Sequence, residues 1–265
     1  MMKTEKETDI SCFGFSLDKG GAHNARTMML EDLRLLLSYV DQPTATKNDY
    51  LTAIQDDNCL GKRSGKSRTL TKRHLVALYS LDPEVTLFRA LLYFWRRDAE
   101  GQPLLALLCA YARDPLLRRS ASFMLQFTEG AIVTREALEE YLEDAYPGRF
   151  SKATLKSSAQ NLNGTWTSSG HLSGKAKKVR ARATATAGSV AYALFLGYLT
   201  GGRGEALFES EYARLLDCPK ERAIELAEAA SRRGWIVFKR VGDVIEVLFP
   251  NNLTDQEREW IRDQY

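Results

Sequence analysis

The sequence predicts a mainly all-α protein: a helical bundle with one or two winged helix-turn-helix modules and short β-hairpin wings. Three observations predict this fold. Apolar residues recur at helical spacing through most of the 265 residues. Asp-Pro pairs, serines and threonines precede many of these segments, as is typical of helix starts. Twice, two adjacent helical segments are followed by short strand-like sequence around a turn.

The composition is that of a soluble globular protein and excludes a mainly disordered chain, because 44% of the residues are hydrophobic and 27% are charged. The polar N-terminus, MMKTEKETDI, predicts no signal peptide. The cysteines have neither zinc-ligand nor redox-motif spacing, so we expect reduced thiols in a cytoplasmic protein. They are Cys12, Cys59, Cys109 and Cys218.

Residues 1–133 are predicted to form an N-terminal helical bundle with a basic loop and helix. Its last three helices are apolar on most sides, which is typical of the middle of a bundle. Asp82-Pro83 and Asp114-Pro115 are predicted to supply the N-cap and first helical residue for two of them. The helices are predicted over residues 27–40, 50–54, 69–81, 85–97, 103–113 and 115–127.

Residues 134–204 are predicted to form a first winged-helix-like module and a basic segment. Thr134 and Ser151 stand as caps before helices predicted over residues 135–146 and 152–163. The following TWTSSGHLSG alternates around a Ser-Gly turn and predicts a β-hairpin, directly before the basic string KAKKVRAR. The uncharged run of residues 183–202 predicts a buried helix in preference to a membrane span.

Residues 205–265 are predicted to form a C-terminal winged-helix module. Ser210 caps a helix over residues 211–216, and a second helix over residues 220–233 ends at Gly234. Strands over residues 235–240 and 244–249 complete the helix, turn, helix and hairpin order of a winged helix.

Two stretches contain no aspartate or glutamate but many basic residues. Charge segregated in this way indicates a polyanionic partner more strongly than the net charge of +3 does. Residues 58–81 contain Lys62, Arg63, Lys66, Arg68, Lys72 and Arg73. Residues 145–204 contain Arg149, Lys152, Lys156, Lys175, Lys177, Lys178, Arg180, Arg182 and Arg203.

The helix predicted over residues 152–163 is the candidate DNA-reading helix. Leu155, Ala159 and Leu162 fall on one face and are predicted to pack inward. The opposite face and its flanks carry side chains of the types that contact bases or phosphates. They are Lys152, Thr154, Lys156, Ser157, Gln160 and Asn161. For this helix, the alternative is an ordinary solvated face. His171 is predicted at the tip of the wing, in contact with phosphate.

The C-terminal module is less suited to DNA, because its second helix carries Glu221, Glu225 and Glu228 on outer positions. Carboxylates that face phosphates cost binding energy. We expect a structural or protein-contact role for this module, with some backbone contact from the helix end and wing. The residues for that contact are Arg232, Arg233, Lys239 and Arg240.

Signals for catalysis are weak, and we expect no enzyme, cofactor or bound metal. The segment GKRSGKS at residues 61–67 has three residues between its glycines, whereas the phosphate loop of nucleotide-binding proteins needs four. A basic loop that touches phosphate is the better interpretation. His74 falls on an apolar helix face and is predicted to be a core residue.

The run NCLGKRS, continuing as GKSRTLTKRHLVALYSLDP, and the later SKATLKSSAQNL resemble the BrxA family of bacteriophage-exclusion (BREX) defence loci. The resemblance covers about residues 18–200. It implies a small helical DNA-binding accessory protein without catalysis, in a system that also contains a DNA methyltransferase, a large ATPase and an alkaline-phosphatase-like protein. The matching positions that would contact DNA are Lys62, Arg63, Arg68, Lys72, Lys152, Thr154 and Lys156.

Three functions follow from these observations. The first is binding of double-stranded DNA, mainly through phosphates, within a phage-defence system whose other subunits are further candidate partners. The second is a sequence-specific transcription regulator, which needs base contacts from Thr154, Ser157, Gln160 and Asn161. The third is a scaffold whose basic surface meets an acidic defence subunit. No membrane partner is expected.

Overall fold

The computed structural model describes residues 10–16, 22–242 and 244–264. This part of the chain is mainly helical, as predicted, with two small antiparallel sheets. None of its helices is long and apolar enough to cross a lipid bilayer. The helices are α1 (Leu30–Tyr39), α2 (Lys47–Gln55), α3 (Gly65–Tyr79), α4 (Thr86–Trp95), α5 (Gln102–Arg113), α6 (Pro115–Leu125), α7 (Arg135–Ala145), α8 (Lys152–Ser168), α9 (Ala187–Leu199), α10 (Glu211–Arg214), α11 (Lys220–Arg232) and α12 (Asp255–Gln264), with 3-10 helices at Ile10–Phe13 and Gly204–Glu209.

Helix α9 lies at the centre of the hydrophobic core. Every residue of α9 except Tyr198 is buried, which confirms the buried helix predicted within residues 183–202. It packs against α4 and α5, which precede it in the sequence, and against α10 and α11, which follow it. The Tyr192 hydroxyl donates to the Leu87 carbonyl oxygen at 3.0 Å, which satisfies a polar group inside this apolar layer.

Helices α7 and α8 and the hairpin of β1 (Leu172–Ser173) and β2 (Val179–Arg180) form what we call the first helix–hairpin unit. The predicted caps are confirmed: Thr134 accepts from the backbone N–H of the third helical residue of α7, and Ser151 does the same for α8. Ile132 bridges to β2 on the side away from β1, so the chain before α7 adds a third extended segment to the hairpin.

Several predicted helix boundaries differ from the observed ones, among them the end of α8 and the start of α4. Helix α8 continues to Ser168 and absorbs residues predicted to begin the hairpin. The reason is that Leu162 and Trp166 lie one helical turn apart and are both buried. Helix α4 begins at Thr86, because Asp82 and the proline after it form a turn before the helix.

Helices α10 and α11 with strands β3 (Val237–Val241) and β4 (Val244–Leu248) form the second helix–hairpin unit. The Ser210 cap is confirmed, although α10 ends at Arg214. The backbone of Gly234 has φ of +71°, a conformation that glycine adopts without strain, and it ends α11 as predicted.

Helix α12 was not predicted, and it packs on the N-terminal part of the chain. Trp260 meets Phe13 edge to face with ring centroids 4.9 Å apart. The Arg89 guanidinium donates to both carboxylate oxygens of Glu257 at 2.6 Å. The last residues of the third predicted domain therefore contact the first one; the division at residues 133 and 204 stays a prediction.

Candidate nucleic-acid interface

Residues 22–29, which we call the N-terminal strap, lie between the two basic regions of the chain. The Met28 N–H donates to Thr165 Oγ1 of α8 at 2.8 Å. The Met28 carbonyl oxygen accepts a hydrogen bond from the Tyr79 hydroxyl at the end of α3. The strap therefore joins α3, with its six neighbouring cations, to α8.

A buried hydrogen-bonded chain anchors the strap. Asp114 Oδ2 lies 2.7 Å from His23 Nδ1, and His23 Nε2 lies 2.9 Å from Thr165 Oγ1. Although burial opposes ionisation, His23 and several backbone N–H groups lower the pKa of Asp114 to about 2. The order of hydroxyl, imidazole and carboxylate is that of a catalytic triad, but all three side chains are buried. This hydrogen-bonded chain of side chains therefore fixes the strap to α8 and to Asp114, and it presents no nucleophile to solvent.

The predicted base-reading face of α8 is covered by this strap. Ser157 Oγ donates to the Asn24 carbonyl oxygen at 3.2 Å, and Asn161 Nδ2 donates to the His23 carbonyl oxygen at 3.1 Å. Thr154 Oγ1 lies in the cap at the start of α8, 2.9 Å from another hydroxyl. Thr154, Ser157 and Asn161 are therefore only partly exposed, because Ser157 and Asn161 contact the backbone of the strap and Thr154 lies in the helix cap.

His171 does not lie at the wing tip. Its ring is fully buried, 5.0 Å from the ring of Trp166 and edge on to it. Nε2 donates to the Leu215 carbonyl oxygen at 3.1 Å, and Nδ1 accepts from the Ser169 hydroxyl at 2.9 Å. Burial lowers the pKa of His171 to about 4, so the ring is neutral near pH 7. The predicted phosphate contact is therefore wrong.

Arg180 is also buried, with 5% of the residue exposed, and is not a phosphate contact. Its guanidinium donates to both oxygens of Asp217 at 2.8 Å, and the Ala183 N–H donates to the same carboxylate at 3.0 Å. Burial opposes ionisation of Asp217, but these hydrogen bonds lower its pKa overall. The pair joins the first helix–hairpin unit to the start of the second.

The outward face of α8 is instead formed by Lys152, Lys156 and Gln160, which are exposed and four residues apart. At the start of α7, a backbone N–H and the Arg135 guanidinium lower the pKa of the Glu136 carboxyl, and the nearby Lys156 makes a smaller contribution. The side chains that α8 offers to a partner are thus two lysines and one amide.

A cavity of about 580 Å³ lies beside this outward face, between the start of α7, α8 and the β1–β2 loop. Gln160 belongs to both the outward face and the cavity wall. The loop contributes consecutive residues of the basic string, so the structure brings the helix face and the hairpin lysines together. The lining residues are Ile132, Val133, Thr134, Arg135, Glu136, Gln160, Asn163, Gly164, Lys175, Ala176, Lys177 and Lys178.

Ion pairing separates the predicted contact residues into two groups. Besides Arg180, four are paired with carboxylates: Lys62 with Asp32 at 2.7 Å, Arg182 with Glu129 at 3.8 Å, Arg232 with Glu228 at 3.7 Å and Lys239 with Glu246 at 3.1 Å. Arg233 stacks over Trp235, and Arg240 donates to the Gly242 carbonyl oxygen. Within the described ranges, no carboxylate lies in ion-pair distance of Arg63, Lys66, Arg68, Lys72, Arg73, Lys152, Lys156, Lys175, Lys177 or Lys178.

The basic helix α3 adds a further cationic patch next to the strap. Ser64 caps α3 by accepting from the Ser67 N–H at 3.2 Å, so Lys66 lies in the first helical turn. Burial, Arg26 and Arg73 lower the pKa of His74, and both arginines are exposed. Sequence analysis missed Arg26, because it lies outside the two acid-free stretches; only the strap brings it to α3.

Neither a protein-family model nor a curated protein matches this chain. In the parts of the chain that the structure describes, no three histidine, cysteine, aspartate or glutamate side chains are grouped so that they could hold a metal ion.

Proposed function

We propose that this protein binds double-stranded DNA without catalysis, through the outward face of α8 and the β1–β2 loop. One observation carries the proposal. Lys152 and Lys156 are exposed on the same face of α8 as Gln160, Lys175 and Lys177 are exposed on the cavity wall that Gln160 shares, and none of the four lysines lies within ion-pair distance of a carboxylate among the described residues. Cations of this kind release counterions when they contact phosphates, which is the main source of non-specific affinity.

The order of elements supports a winged-helix interpretation of the first helix–hairpin unit. Helix α6, an extended segment at Ile132, α7, α8 and the β1–β2 hairpin follow one another, and Ile132 bridges to β2. In such a fold the second helix of the helix-turn-helix enters the major groove. Lys152, Lys156 and Gln160 would then face the groove, and the loop lysines would follow the backbone.

The patch on α3 extends this surface in our proposal. The strap connects α3 to α8, and Arg26 and Arg73 lie on the exposed side near that connection. A duplex that lies on α8 and the hairpin would then meet further cations beside the strap.

The resemblance to the BrxA family adds the cellular role to the proposal. We infer an accessory protein of a bacteriophage-exclusion system that acts in the cytoplasm, with other subunits of that system as partners. Of the matching positions, Arg63, Lys152 and Lys156 are exposed and have no ion pair among the described residues. A sequence-specific regulator is less well supported, because three of the four side chains it needs are engaged within the chain.

The test is a salt titration of binding to a random-sequence duplex, followed by fluorescence anisotropy. Four phosphate contacts predict that log K falls with log salt at a slope of about −4. Lys175→Glu combined with Lys177→Glu should weaken binding by at least about tenfold on any sequence. The matched control, Arg232→Glu with Arg233→Glu, should weaken it less than about threefold.

Three outcomes would overturn the proposal. Equal losses in the two double variants would show that α8 and the hairpin are not the contact. A large preference for one duplex sequence would favour the regulator. Absence of binding at low salt would leave the scaffold as the better account of the cationic surface.

A further inference from the structure

The cavity beside α8 is lined by a buried amide side chain, Asn163, whose carbonyl oxygen has no hydrogen-bond partner among the described residues. Asn163 is 5% exposed, and its Oδ1 accepts no hydrogen bond from the described residues. An unsatisfied buried acceptor costs about 1–3 kcal/mol, so such groups in native proteins call for an explanation. Asn163 lines the cavity, and a rotation of its buried side chain towards the cavity would let a ligand N–H group satisfy this oxygen.

A second amide stands next to it on the same wall. Gln160 precedes Asn163 by three residues in α8, and both line the cavity. Amide side chains pair with the donor and acceptor edge of a purine base, as asparagine and glutamine do with adenine in DNA. Two amides one turn apart therefore suit a base.

Cations line another part of the same cavity. Lys178 Nζ donates to the Gly174 carbonyl oxygen at 2.7 Å and so shapes the loop. Lys175 and Lys177 are exposed and carry no ion pair among the described residues. These two ammonium groups suit a phosphate, whereas Arg135 is already paired with carboxylates of α7.

The cavity also has an apolar wall and the volume for a small ligand. Ile132 is 52% exposed and lines the cavity beside Ala176. The volume of about 580 Å³ falls within the range of roughly 300–1,000 Å³ that is typical of ligand pockets.

We infer that this cavity binds a single nucleotide, with the base between Ile132 and the two amides and the phosphate on Lys175 and Lys177. The nucleotide is either free in solution or part of a DNA strand from which it has been turned out. The inference needs no contact between α8 and a duplex groove, so it stands or falls separately from the proposed function.

The test blocks the cavity without changing its charge. Ala176→Trp fills it from the exposed loop, and Ala206→Trp on the distant 3-10 helix is the matched control. Deoxyadenosine monophosphate is titrated into each full-length protein by calorimetry. We expect binding to the wild type and the control, at least about tenfold weaker binding to Ala176→Trp, and at least about tenfold weaker binding of inorganic phosphate alone.

A second variant guards against misfolding. Gln160→Leu removes one amide from an exposed helix position and should also weaken binding of the monophosphate by at least about tenfold. A circular-dichroism melt of each variant establishes that it is folded before titration.

A separate experiment tests whether the nucleotide comes from a DNA strand. A duplex that carries one 2-aminopurine should gain fluorescence with the wild type and Ala206→Trp, but not with Ala176→Trp, if the base enters the cavity from DNA. Monophosphate binding alone supports the free ligand, and the fluorescence gain alone supports the strand. The inference is overturned if neither occurs, if inorganic phosphate binds as tightly as the monophosphate, or if the two tryptophan variants behave alike.

Ala176→Trp keeps all the lysines, so its affinity for the unlabelled duplex should stay within about threefold of the wild type.

Discussion

The two helix–hairpin units share an order of elements but differ in the charge of their second helices. Helix α8 exposes Lys152 and Lys156 and contains no carboxylate. Helix α11 exposes Glu221 and Glu225 among its cations, and Arg222 donates to Glu225 at 2.7 Å. The same order of elements therefore presents a cationic face in one unit and an internally neutralised face in the other.

The hairpins repeat this difference. The short β1–β2 hairpin has a loop of unpaired lysines, whereas the longer β3–β4 hairpin pairs its Lys239 with Glu246 across the strands. The last pair of this hairpin before its turn is apolar, with Val241 79% exposed opposite Val244. Element order alone is thus a poor guide to function, and the side chains on the outward faces decide it.

The two units are also joined by buried polar contacts. Arg180 of β2 binds the Asp217 carboxylate between α10 and α11, and the His171 ring donates to the Leu215 carbonyl oxygen. Two side chains predicted to meet phosphate, the Arg180 guanidinium and the neutral His171 ring, instead hold the two units against each other.

The largest effect on stability is expected when the contact between Arg180 and Asp217 is removed. Arg180→Ala leaves Asp217 partly buried without its charge partner and should lower the free energy of unfolding by about 3–5 kcal/mol. Lys239→Ala, which removes an exposed partner of Glu246, should change it by less than about 0.5 kcal/mol. Urea unfolding of the full chain measures both, and similar small losses in the two variants would contradict the structural role of Arg180.

His171, which also joins the two units, predicts that the free energy of unfolding depends on pH. The pKa of the folded ring is about 4, below its usual value of 6.5, so the unfolded chain binds this proton more readily. The contribution is therefore complete above pH 6.5 and is lost as the pH falls towards 4, by about 3 kcal/mol in total. His171→Phe keeps a ring beside Trp166 and removes the titration. Stability measured between pH 7 and 4 should fall more steeply for the wild type; parallel curves would be against this assignment.

The predictable part of the fold depended on local signals. The caps at Thr134, Ser151 and Ser210, and the glycine that ends α11, are set by side chains within a few residues, so the sequence predicted them. Helix α12 was missed although it has a local signal too: the Thr254 hydroxyl accepts from the Glu257 N–H and the Glu257 carboxylate accepts from the Thr254 N–H, the capping box of a helix start. The contact between Glu257 and Arg89, by contrast, joins residues far apart in the sequence and could not be predicted from it.

The candidate site was predictable in charge but not in orientation. Lys175 and Lys177 of the basic string are exposed, and no carboxylate in the described chain forms an ion pair with them, as the acid-free stretch had indicated. The face of α8 that contacts solvent depends on the strap, which lies more than a hundred residues earlier in the chain. Periodicity separates an inward face from an outward one, but it does not show that Asn24 covers Ser157.

The smallest expected effect sharpens the comparison between α8 and α11. Replacing Glu221, Glu225 and Glu228 with Gln removes carboxylates from the outer side of α11 and frees Arg222 and Arg232 from their ion pairs. If these carboxylates keep the second unit away from phosphates, duplex affinity at low salt should rise about two- to fivefold and the gain should vanish at high salt.

The control for that experiment must change the net charge equally at a distance from both units. Glu31, Glu84 and Glu100 are exposed residues of the N-terminal bundle, and their combined replacement with Gln adds the same charge. A matching gain in this control would mean that overall charge, and not the face of α11, governs the affinity. A gain confined to the α11 variant would mean that the two units differ in function through three carboxylates on one helix.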